Sequence, residues 1–230
     1  MPRGNLEGVY PRALILARVA EALTRGDYGG AYRAAAAHRV DLNVLVDFAW
    51  PRAVGEAAAI VEGLGSAAAL GELLGALVPG SVCGPGGAYA DMWAVGGGGA
   101  REGPLPGAGG ERGPEGKVAR VCLALRDAMA ASDAGGFLPA ILASHLRADP
   151  ADPAGALRWV RRLRAAELGQ GPPVAATGQA VAARVMTSEG AMRHLLVLAG
   201  SRDLYRAALG DYDTQMAYLG EQRTGAALPR

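Results

Sequence analysis

The sequence predicts an all-α protein, an α-solenoid of tetratricopeptide-like stacked helical hairpins. Apolar residues recur at helical spacing through most of the chain. No alternating run rich in Val, Ile, Thr and aromatic residues marks a strand. Capping residues and glycines divide the periodic stretches into helices of roughly 10 to 16 residues with short turns, the pattern of stacked hairpins.

The elements follow in order. Pro11 suits the first position of a helix, where its missing N–H would be unpaired in any case. Leu16, Val19, Ala20 and Leu23 then fall at i, i+3, i+4 and i+7; Arg18, Glu21 and Arg25 form the polar face, and Gly26 is the C-cap. Gly26-Asp27-Tyr28 precedes a second helical stretch, and Gly26 to Ala35 is similar to the second helix of a tetratricopeptide unit. The triplet returns at Gly210-Asp211-Tyr212, but the separation does not fit a ~34-residue period, so the solenoid is degenerate. Helix starts are marked by Trp50-Pro51, Asp152-Pro153 and Ser201 before Arg202-Asp203, and ends by Gly63, Gly169 and Gly200. Val118, Val121, Cys122, Leu125 and Met129 form one apolar stripe, Leu138, Ile141, Leu142 and His145 a second, and Met192, Leu195, Leu196 and Ala199 a third.

From Pro79 to Gly116 the chain is rich in glycine and proline, including Gly96-Gly97-Gly98-Gly99 and Pro104-Leu105-Pro106-Gly107. Such a stretch buries too little apolar surface to offset its ordering entropy. The expected organisation is therefore a helical part over residues 1–78, a disordered loop over 79–116 and a second helical part over 117–230. A shorter interruption runs from Gly169 to Gly178.

A chain of 230 residues can bury about 70% of its unfolded surface. Its net charge is +1, which by itself calls for neither nucleic acid nor an anionic membrane. Lys117 is the sole lysine, and the preference for arginine is read as a GC-rich coding sequence rather than a binding signal. Cys83 and Cys122 form no C-x-x-C pair and fit a reducing, intracellular setting. The apolar stretch Ala67 to Val78, broken by Glu72, falls short of the ~20 residues a membrane span needs.

Chemistry is scarce. Gly116-Lys117-Val118 fails as a phosphate loop, because Val118 stands where Ser or Thr is needed and Glu111 where the leading glycine belongs. His38, His145 and His194 lie far apart without ligand spacing, so each is expected to be a packed or half-buried histidine and no metal or other cofactor is called for. Ser144 beside His145 is no catalytic dyad, since helix neighbours point about 100° apart. The remaining cluster is Arg158, Arg161, Arg162 and Arg164 around Trp159, the first three on one helix face backed by Leu157, Val160 and Leu163. It is the candidate RNA or partner contact, through phosphate binding and base stacking. The competing expectation is a solvated face on a packing helix.

Blocks of the sequence also carry a resemblance. Arg3-Gly4-Asn5-Leu6-Glu7 leads into Pro11-Arg12-Ala13-Leu14-Ile15-Leu16-Ala17. Asp41-Leu42-Asn43-Val44-Leu45-Val46-Asp47, Ile141-Leu142-Ala143-Ser144-His145 and Ala191-Met192-Arg193-His194-Leu195-Leu196 follow. Asp203-Leu204-Tyr205 and Leu209-Gly210-Asp211-Tyr212-Asp213 come last. In this order they resemble the large scaffold subunit of the Elongator complex, which modifies wobble uridines in tRNA. The resemblance implies a non-catalytic segment from that subunit's α-helical C-terminal region, supporting carboxymethyl-type modification. It implies as partners the propeller subunit and the radical-SAM acetyltransferase subunit, with tRNA met indirectly and no membrane, in the cytoplasm and also in the nucleus. It further implies a longer protein, with two β-propellers before this segment and dimerisation helices beyond it, and a basic RNA-contacting element nearer the C-terminus. The residues alone leave a second reading open, a stand-alone tetratricopeptide-like module that binds peptides.

Overall fold

The computed structural model describes residues 11–48, 50, 52–84, 86–90, 116–174 and 186–210. Every regular element among them is a helix. They fall into two compact units, Met1–Leu64 with Val78–Glu115, and Gly65–Leu77 with Gly116–Arg230. The Arg3–Glu7 block, Pro51, the four-glycine run and Asp211-Tyr212-Asp213 lie outside the described residues.

In the first unit, α1 (Arg12–Thr24) buries Leu16, Val19, Ala22 and Leu23. Pro11 takes the cap position rather than the first helical one, its carbonyl accepting from the Leu14 and Ile15 amides at 3.0 and 3.3 Å. Arg25 is the C-cap, and Gly26 sits one residue further on at φ +75°. The Gly26 amide donates to Leu23 and the Asp27 amide to Ala22, a Schellman closure favouring glycine at the left-handed residue. Asp27 then caps α2 (Tyr28–Ala37) by accepting from the Gly30 amide at 2.7 Å.

Helix α2 lies between α1 and α5 (Ala57–Leu64), while α3 (Val44–Asp47) and α4 (Arg52–Gly55) are single turns. The α2–α5 approach depends on two glycines. A Cβ on Gly29 would stand 2.5 Å from the Gly63 carbonyl oxygen, and one on Gly63 would stand 2.9 Å from the Gly29 nitrogen. Gly63, expected near a helix end, stands one residue before the end of α5 and is also a packing residue, and Gly65 at φ +63° follows the helix end. At the rim, buried Tyr28 donates its hydroxyl to Glu56 at 2.8 Å, and Arg52 Nε donates to Glu56 at 2.7 Å. Burial and then Glu56 raise the phenol well above its usual range, while Arg52 and then Tyr28 lower the Glu56 carboxyl.

Part of the stretch expected to be disordered packs against this unit. Asn43 Oδ1 accepts from the Val78 amide at 3.0 Å, and buried Asp47 accepts from the Val82 amide at 2.8 Å. The Tyr89 hydroxyl accepts from the Asp41 amide at 2.9 Å and from Arg12 at 3.3 Å, while the Tyr89 amide donates to Val82. Val82, Cys83 and Tyr89 are buried. Composition misses this strap because the Asn43 and Asp47 side chains and the Asp41 amide help fasten it. Residues 85 and 91–115 lie outside the described ones.

The second unit contains α6 (Ala67–Ala76), α7 (Lys117–Asp133), α8 (Leu138–Arg147), α9 (Pro153–Glu167), α10 (Ser188–Leu198) and α11 (Ser201–Gly210). Helix α6, expected with the first helical part, thus packs on α8 in the second. Helix α8 also meets α7, α9 and α10, and α11 packs on α9 and α10. The expected stripes face inward: Val118 to Met129 on α7, Leu138, Ile141, Leu142 and His145 on α8, and Leu157, Val160 and Leu163 on α9 are all buried. On α10, Met192 and Leu195 are buried, while Leu196 and Ala199 are half-buried. Ser66, Asp152 and Thr187 cap α6, α9 and α10 through their side-chain oxygens. Gly169, at φ +70°, closes α9 as expected.

Two predictions test this packing. Gly29→Ala is expected to destabilise the chain by about 1–3 kcal/mol, as overpacking does. Gly71→Ala, within α6 and with nothing within 4 Å of a new Cβ, is expected to stabilise it by up to about 1 kcal/mol through helix propensity. Urea unfolding reads both signs. Asp47→Ala leaves the Val82 amide without its carboxylate acceptor and is expected to cost about 1–3 kcal/mol. Hydrogen exchange should then quicken at the Val82 and Tyr89 amides while those of α1 keep their protection.

Candidate interaction surface

Helix α9 begins with Asp152 as N-cap and Pro153 in its first turn, and it buries Ala156, Leu157, Val160 and Leu163. That inward face fixes the remaining residues. Arg158 and Arg162 are exposed, whereas Trp159, Arg161 and Arg164 are half-buried. The sequence places Arg158, Arg161 and Arg162 on one face; in the structure Arg161 turns toward the flank and the other two reach solvent. Trp159 packs on the core cluster of α8 to α11 and carries the Arg162 guanidinium over its ring, 5.2 Å from the centroid. One indole face is therefore occupied by an arginine from the next turn.

A polar joint between α7, α8 and α9 adjoins this surface. Ser144 is fully buried; its hydroxyl donates to the Ile141 carbonyl at 2.6 Å and accepts from Arg126 Nε at 3.0 Å. His145 Nδ1 donates to Asp152 at 3.0 Å, while the other carboxylate oxygen accepts from the Gly155 amide at 2.7 Å. Arg158 approaches the same carboxylate at 3.7 Å. Ser144 and His145 thus face different partners. Gly155 makes the joint possible, because a Cβ there would lie 2.4 Å from His145 Nδ1. Burial first, then the charge of Arg126, lowers the imidazole pKa. Burial pushes the Asp152 carboxyl up, but the Gly155 N–H, His145 and Arg158 outweigh it and hold the group below its usual range.

The other singled-out residues do not converge. His38 caps the end of α2, and His194 is half-buried on α10. His145 Nε2 and His194 Nε2 are buried without a hydrogen-bond partner among the described residues. Lys117 is buried at the start of α7. Cys83 and Cys122 are buried, and burial pushes the Cys122 thiol up to about 11, away from reactive thiolate chemistry. Among the described residues, no group of three or more His, Cys, Asp or Glu side chains is placed to hold a metal ion. None of their helices is long and apolar enough to cross a membrane. Of the joint residues, Arg126 was not singled out in the sequence and Asp152 only as the start of a helix. The one local signal was the cap at Asp152-Pro153.

Helices stacked on their neighbours and tied by side-chain joints at their corners define the class as an α-solenoid. Residues 110–225, half of the chain, match a family model described as the ELP1 alpha-solenoid. The chain belongs to the Elongator complex protein 1 family. It is similar to Elongator complex protein 1 of Schizosaccharomyces pombe, with 46% identity over 48 residues, 21% of this chain. It is also similar to that of Arabidopsis thaliana, with 41% identity over 61 residues, 26% of the chain. For that of Drosophila melanogaster the identity is 43% over 47 residues, 20% of the chain. These alignments take in only 4%, 5% and 4% of the relatives' own lengths.

The His145 environment predicts a pH dependence. The folded chain keeps His145 neutral at a pH where the unfolded chain takes up a proton, so the unfolded state binds more protons. The stabilisation from neutral His145 is present above about pH 6.5, the ordinary imidazole value, and is lost as the pH falls from there through the folded pKa. Urea unfolding between neutral and mildly acidic pH should show this slope. His145→Asn, which retains an N–H but does not titrate, should flatten it.

Proposed function

We propose that this chain is a non-catalytic scaffold segment of the Elongator complex, supporting carboxymethyl-type modification of tRNA wobble uridines. The match of residues 110–225 to the ELP1 alpha-solenoid carries this reading. The fold supports it physically. Stacked helical hairpins present long, continuous faces to which several partners can be held at once. Two residues that could suggest chemistry are engaged in packing: Ser144 in the Arg126 bond and His145 in the α9 cap. The proposed partners are the propeller subunit and the radical-SAM acetyltransferase subunit, with tRNA met through the assembly, and the proposed location is the cytoplasm and the nucleus.

Affinity capture of the locus product from cells is expected to recover both partner subunits. Deletion of the locus is expected to abolish carboxymethyl-type wobble modification, read by mass spectrometry of tRNA digests. Unchanged wobble uridines in the deletion strain, with capture of neither subunit, would reject the scaffold reading and leave a peptide-binding helical module in its place.

A further inference from the structure

We draw no further inference here: the strongest candidate, the apolar surface that Val197 and Leu198 of α10 and Leu209 of α11 expose to solvent, carries nothing, because nothing in the structure shows what covers it.

Discussion

Helix α8 is packed by α6, α7, α9 and α10, and most of its side chains are cut off from water. Most of its buried polar atoms are met by neighbouring helices, since each one left unpaired costs about 1–3 kcal/mol. That is a large share of a stability of order 5–15 kcal/mol. Ser144 takes Arg126 from α7, His145 takes the cap of α9, and Arg147 donates to the Leu77 carbonyl beyond α6. These bonds also set the places of the helices that provide them. The α9 surface inherits its position from Asp152, which caps its own helix and receives His145 at once.

The first unit meets the same demand differently. Its helices approach through small residues: Ala31 and Ala35 of α2 are fully buried, and Gly29 and Gly63 bring two backbones together. Close approach gains dispersion contacts but leaves little room for polar side chains between the helices. The polar residues gather instead after α2, where Asp41, Asn43 and Asp47 fasten residues 78–89. The block that carries part of the family resemblance is thus a set of backbone acceptors and turn-makers. No reaction is needed to explain its composition.

A scaffold built in this way presents surfaces whose rigidity comes from within. The exposed arginines of α9 stand above a buried Leu-Val-Leu seam, and Arg162 is steadied by an indole that itself packs on the core. Membership of the Elongator complex protein 1 family fits this architecture, since a solenoid segment works through what its faces hold.

Helix identity and the buried faces were legible in the sequence. The stripes at Val118 to Met129 and at Leu157, Val160 and Leu163 are local patterns, and an amphipathic helix has only one way to turn them inward. Gly26, Asp152 and Gly169 were legible for the same reason, because caps act on the backbone within a few residues. Gly63 was legible as lying near a helix end but not as the contact with Gly29, since a glycine that admits another backbone looks in sequence like one that ends a helix. The 78–90 strap was hidden because its partners lie in residues 12–47. On α9, spacing put Arg158 and Arg162 on the polar side, but it could not say that Trp159 would pack inward beneath Arg162 or that Arg161 would be half-buried. Local order of residues determined the helices and their faces, because backbone hydrogen bonds and side-chain period act over a few positions. Only the tertiary structure decided which polar side chain meets which, because those partners come from segments that only folding brings together.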